Sequence, residues 1–386
     1  MSSLSTLERP AALQTTDTRP REGRRLDLDV VRGVAILLAL GWHFNHGPSG
    51  NGLLDALQLP GIRFGWAGVD LFFVLSGFLL GRLVLKEQLA TGQFDGRRFT
   101  VRRVLKLWPV LYVFLAVQAV FGPEPWTTFL WQNALHVQNY AGTSLRHLWS
   151  LAVEEHFYLV LAVLFPWFAR RRGSPRLLAG VLVGVLVAAL ALRIWGATHG
   201  VSEVRLQWRT YFRVDALAAG VLLAVVSVHW PERFDRLARL RWLWAALTVL
   251  GAVELSRLGK DGFLGSTVGY TVANATGAAY LLFLYRARWV GRARLLTAPV
   301  AALGRYSYGI YIWHLFAARV ALDLVPGMAW GSTSPAAQAV KYSAGIGIGV
   351  LATVLVEKPA LRLRERLVPA DRADRTDPRT ATPRIS

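Results

Sequence analysis

Apolar residues in this chain gather into long runs instead of alternating with polar ones. VAILLALGW, AGVDLFFVLSGFLLG, VLYVFLAVQAVF, LLAGVLVGVLVAALAL and AGIGIGVLATVLV are the clearest. A hydrocarbon slab about 30 Å thick asks about twenty such residues of a helix. Inside it every backbone amide needs an internal partner, so only helices and closed barrels can cross. These runs are too long and continuous for barrel strands. The pattern predicts an all-α fold, a polytopic integral membrane helical bundle of about ten transmembrane helices. They fall near 28–44, 66–81, 104–121, 148–168, 177–195, 211–228, 240–256, 266–285, 305–322 and 337–357. A shorter stretch near 126–139, TTFLWQNALHVQ, reads as an interfacial or re-entrant helix.

The basic residues test this topology. An even number of crossings puts both termini on one side, and 34 of the 44 Lys and Arg fall on that side. Positive charge favours the cytoplasm, so both termini are expected there, in a bacterial plasma membrane. Only 18% of residues are charged and mean hydropathy is +0.35, against about a quarter charged in a soluble chain. The net charge of +20 therefore reads as membrane topology and not as nucleic-acid binding. Residues 1–27 are polar, rich in Pro, Thr and Arg, and lack a signal-peptide core, so they are expected to form a disordered cytoplasmic tail. Residues 28–366 form the transmembrane domain and 367–386 a second disordered tail. The absence of cysteine excludes disulfides, thiolate metal sites and a cysteine nucleophile.

Ionisable side chains inside a span are costly unless paired or wet, so each is a candidate for function. Arg32 and His43 lie eleven residues apart on the first span, which returns them to one helix face roughly 16 Å apart. Asp29 can pair with Arg32 across one turn. Asp70, among Val, Leu and Phe on the second span, must find a partner, and an Arg or His of the first span would serve. Arg102, Arg103 and Lys106 head the third span, either as positive-inside anchors or as a phosphate clamp. Glu154 and Glu155, flanked by His147 and His156, make the densest ionisable group of any span. Arg213 and Asp215 open the sixth, His314 lies on the ninth, and Glu357 closes the tenth. Taken singly, each of the last four reads as an interfacial anchor rather than a catalytic group.

Seven blocks in one order carry a resemblance: LDLDVVRGVAILLALGWH, GWAGVDLFFVLSGFLLG, RRVLKLWP, HLWSLAVEEHFYLVLAVLFP, YFRVDALAAG, GRYSYGIYIWH and VEKP. Across residues 26–359 the chain resembles the membrane-bound acyltransferase family 3. The resemblance implies O-acylation of a carbohydrate, with acyl-CoA (acetyl-CoA foremost) as donor on the cytoplasmic side. The family's arginine and histidine of the first span match Arg32 and His43. Its arginine pair matches Arg103, but the second member is Lys106, which keeps the charge and loses the bidentate fork. Its glutamate block matches Glu154 and Glu155, with Ala152 and His156 where serine and glutamine are commoner. Many relatives carry an added esterase-like domain, and this chain is expected to act without one.

The chemistry expected is acyl transfer with His43 as general base, oriented by Asp70, Glu154 or Glu155. Arg32, Arg103 and Lys106 would hold the coenzyme A phosphates, with no metal. Asp29, Arg213, Asp215 and His314 would orient or support. Direct transfer and an acyl-enzyme relay both remain open. The acceptor is open among a cell-envelope glycan, a glycolipid and the sugar of a natural product such as a macrolide. The alternative is a transporter using the same Arg, Asp, Glu and His cluster, although no inverted repeat is visible. Oligomeric state is not legible.

Overall fold

In the computed structural model of the chain, residues 25–369 are described, apart from His46 and Arg172. Nearly all of both expected tails lies outside the described residues. The long helices are α1 (Leu26–Phe44), α2 (Gly52–Phe64), α3 (Gly68–Thr91), α4 (Gly96–Phe121), α5 (Trp149–Arg170) and α6 (Pro175–Thr198). They continue with α7 (Thr210–His229), α8 (Arg241–Leu258), α9 (Tyr270–Leu284), α10 (Arg294–Asp323), α11 (Pro335–Ala352) and α12 (Lys358–Leu367). Among the described residues there is no strand.

Each predicted span falls on one of these helices. Among the described residues, six helical stretches are long and apolar enough to cross a membrane: Gly52–Thr91, Gly96–Phe121, Arg146–Arg170, Pro175–Thr198, Glu203–His229 and Pro335–Leu367. Helix α2 was not anticipated, because Pro60 and the polar Asp55, Gln58 and Arg63 interrupt its apolar pattern. The 126–139 stretch forms two short helices, Leu130–Ala134 and Gln138–Ala141, after a single turn at Trp126–Thr128.

Local sequence fixes several ends. Asp95, Ser174 and Ser334 each accept a hydrogen bond from a backbone N–H in the first turn of α4, α6 and α11. Pro175 and Pro335 follow two of these caps, where a missing N–H costs nothing. Gly92 ends α3 at φ 73°, a conformation that favours glycine.

Small residues bring the helices together in pairs, as expected where lipid removes the hydrophobic drive. A Cβ on Gly304 of α10 would lie 1.9 Å from the Asp29 carbonyl oxygen, and one on Gly33 of α1 would lie 2.0 Å from that of Val300. Helices α1 and α10 run parallel, since residue 304 meets residue 29 and residue 314 meets residue 43. Helices α3 and α7 also run parallel, since Asp70 meets Arg213 and Gly81 meets Ala224, with Gly77 packed against Leu217 between them. Helix α11 runs antiparallel to α10, with Gly349 against Ile310 and Gly345 against His314. Gly304→Ala is expected to push α1 off α10 and lower stability by about 1–3 kcal/mol, the range for overpacked cores. Thermal unfolding of the purified protein in detergent measures it, and an unchanged transition would show that the helices separate without cost.

Candidate active site

The C-terminal turn of α1, the middle of α10 and the start of α5 meet in a layer of histidines. His314 Nδ1 lies 2.8 Å from the Tyr311 carbonyl oxygen, and its Nε2 lies 3.0 Å from Nδ1 of His43. His147 Nε2 donates to the Ile312 carbonyl at 3.1 Å, and its ring stands edge-on to His314 with centroids 5.5 Å apart. Tyr311 locks α10 to α5: its hydroxyl donates to the His147 carbonyl at 2.7 Å and lies 2.8 Å from Ser150 Oγ. His314 is fully buried.

With both rings neutral, these contacts assign the tautomers by elimination. A carbonyl oxygen only accepts, so His314 Nδ1 carries a proton. In the neutral ring Nε2 is then the acceptor. His43 Nδ1 must donate to it, which leaves the lone pair of His43 on Nε2. The partner expected for His43 was a carboxylate; a second imidazole occupies that place, supplied by α10 running parallel alongside.

A charged layer lies roughly 16 Å away along α1, at the Arg32 end. Arg32 Nη1 donates to Asp29 Oδ1 at 2.8 Å, the one-turn pair the spacing predicts. Lys106 lies within electrostatic reach of Arg103, Glu357, Arg32 and Arg364. Arg103 also stacks on Phe99 at 5.4 Å. Arg102 is drawn off to the last helix, pairing with Glu365 at 3.1 Å and donating to the Val368 carbonyl at 2.5 Å. Glu154 receives hydrogen bonds from Ser76 at 3.0 Å and Tyr158 at 2.8 Å, and Arg103 and Lys106 reach it electrostatically. Glu155 stands near Glu154 and Arg103. Both glutamates thus belong with the basic layer. Glu357 joins them from a π-helical turn, Thr353–Glu357, that links α11 to α12.

Asp70 takes a different partner from the one expected. It pairs with Arg213 of α7, both side chains 1% exposed, and the guanidinium lies 3.6 Å above the Tyr270 ring. Asp215 pairs with Arg193 of α6 at 2.8 Å. Arg193 also donates to the carbonyls of Phe212 and Thr267 and to Thr271 Oγ1, tying α6 and the start of α9 to α7. The physical reason is reach: α7 packs along α3, whereas Arg32 is held by Asp29 on its own helix.

Two charged residues escaped the sequence reading, although a charge within an apolar run was the available signal. Arg193 is one. The other is Lys341 of α11, fully buried, whose Nζ donates to the Phe44 carbonyl at 3.1 Å and the Ser332 carbonyl at 2.8 Å. It caps α1 next to His43. Among the described residues no group of three or more His, Asp or Glu is arranged to hold a metal ion.

Such a layer of paired imidazoles facing a basic layer in a helical membrane protein is suited to acyl transfer, and residues 25–357 match the acyltransferase domain family. The chain belongs to that acyltransferase family. It is 26% identical to a peptidoglycan O-acetyltransferase of Listeria monocytogenes, the match covering 74% of this chain and 48% of the relative. An O-acetyltransferase of Staphylococcus aureus is also 26% identical, with 74% and 49% covered. The chain thus spans about half the length of the curated relatives it matches. No solved structure matches it.

Proposed function

We propose that the protein is a membrane O-acyltransferase that moves an acetyl or other short acyl group from acyl-CoA to a carbohydrate hydroxyl, with His43 as general base. The observation that carries this is the hydrogen-bonded series Tyr311 carbonyl, His314, His43, which leaves a lone pair on His43 Nε2. The family and the O-acetyltransferase relatives support the reaction class and the carbohydrate acceptor. The distribution of Lys and Arg supports ten spans with both termini cytoplasmic, and the parallel course of α1 and α10 fits it.

In the reaction, His43 Nε2 takes the proton of the acceptor hydroxyl as its oxygen attacks the thioester carbonyl. The resulting imidazolium is steadied by its Nδ1–H, which donates to the lone pair on His314 Nε2. The carbon–sulfur bond then breaks, and the proton passes from His43 to the departing thiolate. Arg32, Arg103 and Lys106 receive the coenzyme A phosphates at the cytoplasmic end of α1, and the pantetheine arm spans the roughly 16 Å to His43. Glu154, Glu155 and Glu357 balance those cations between turnovers. Asp70 acts here through its pair with Arg213, holding α3 to α7.

His314 is therefore a positioning residue, and its chemistry can be separated from its volume. His314→Leu is expected to cut transfer by about 100-fold, while His314→Gln, whose side-chain oxygen can accept from His43 Nδ1, retains at least about ten times more activity. Acetyl transfer from labelled acetyl-CoA by membranes with matched protein levels measures both. Equal losses in the two variants would assign His314 to packing alone.

A further inference from the structure

The far end of α1, beyond His43, borders a cleft of about 500 Å³ that neither the histidine layer nor the basic layer uses. Trp42 and Trp66 line it together with Asp55, Arg63, Lys260 and Asp261, drawn from α1, α2, the single turn Gly65–Ala67 and the segment after α8. We infer that this cleft is a sugar subsite, which receives a ring of the carbohydrate acceptor next to the one being acylated. The inference rests on the O-acyltransferase reading above.

The lining suits a pyranose. Its C–H faces are apolar and lie well on indole rings, whereas its hydroxyls need both acceptors and donors, here the carboxylates of Asp55 and Asp261 and the cations of Arg63 and Lys260. The volume lies in the ordinary range for small-ligand sites. Arg63 is exposed and makes no ion pair or hydrogen bond with the other described residues. Trp66 is only 6% exposed, yet its indole N–H has no partner among the described residues. A buried donor left this way costs free energy, and the residue that carries it forms part of the cleft wall.

The cleft is also built rigidly. Its α1 and α2 walls cross where a Cβ on Gly61 would come within 2.6 Å of the Gly41 Cα. Trp66 stands edge-on to Tyr270 at 5.5 Å, and Tyr270 underlies the Arg213–Asp70 pair. Trp42 precedes His43 in the chain, so a glycan seated here lies beside the turn that carries the base, at the end of α1 opposite Arg32.

The test is saturation-transfer NMR of the full chain in phosphatidylcholine nanodiscs with chitotetraose and maltotetraose as probes. Saturable binding of at least one is expected. Arg63→Ala and Trp42→Ala should each weaken it about tenfold or more, and Arg63→Lys should recover part. His43→Ala should bind as the unaltered chain does while losing acetyl transfer. Unchanged binding in both cleft variants, or no saturable binding by the unaltered chain, would overturn the subsite. Loss of sugar binding when phosphatidylglycerol replaces phosphatidylcholine would assign the cleft to a lipid headgroup and overturn it too. Sugar binding that depends on Arg63, in a protein that transfers no acetyl group in membranes, would instead sink the acyltransferase reading and leave the sugar site standing.

Discussion

Replacing His43 with alanine is expected to lower acyl transfer by about a thousandfold or more, leaving the fold intact. General-base catalysis alone contributes about 10²–10⁴-fold, and the variant also strands the His314 lone pair that now accepts from His43. Folding should survive, because α1 is held elsewhere by Gly33 and Gly304 and by Lys341 on the Phe44 carbonyl. The measurement is single-turnover acetyl transfer from labelled acetyl-CoA into glycan, lipid and small-molecule extracts, with a thermal melt as control. His43→Gln should do no better than alanine, since an amide cannot take the proton. A His43→Ala protein that melts normally and transfers at the original rate would remove His43 from the chemistry.

The second large effect concerns stability. Asp70→Ala is expected to destabilise the protein by about 3–5 kcal/mol, because it leaves Arg213 as an uncompensated buried charge. The pair is not fully satisfied even in the native state: Asp70 Oδ2 and Arg213 Nε and Nη1 have no hydrogen-bond partner among the described residues. Removing both charges should therefore restore most of the loss. The double variant Asp70→Leu, Arg213→Met is expected to melt within a few degrees of the original chain, as replaced buried ion pairs do elsewhere. It also separates two roles of Asp70. A stable double variant with normal transfer makes the carboxylate structural, whereas a stable but inactive one returns Asp70 to the chemistry.

The difference between these two sites shows what a sequence can disclose. Spans announce themselves because a hydrocarbon slab leaves a long apolar run no alternative. The face shared by Arg32 and His43, and the Asp29–Arg32 pair, follow from helical period alone. Partners on other helices do not. Asp70 meets a residue 143 positions away and His43 one 271 positions away. Which helix supplies them depends on the glycine contacts that seat α3 on α7 and α1 on α10. His314 could be nominated as an orienting residue from its place in an apolar run, but not joined to His43. The recruitment of Glu154 and Glu155 to the basic layer escaped for the same reason. Helix α2 escaped because its role is to cross α1 at one pair of glycines, which leaves no long apolar signature.

The π-helical turn at Thr353–Glu357 has a consequence for how this chain tolerates change. Such a turn holds one residue more than the α-helix around it needs. Each residue of an α-helix advances the azimuth by about 100°. Forcing that turn into an ordinary helix with all its residues kept would therefore swing α12 around its own axis by roughly that angle. Glu365 would leave Arg102 without either side chain being altered. The wider turn absorbs the surplus residue and so keeps the last helix in phase with the bundle.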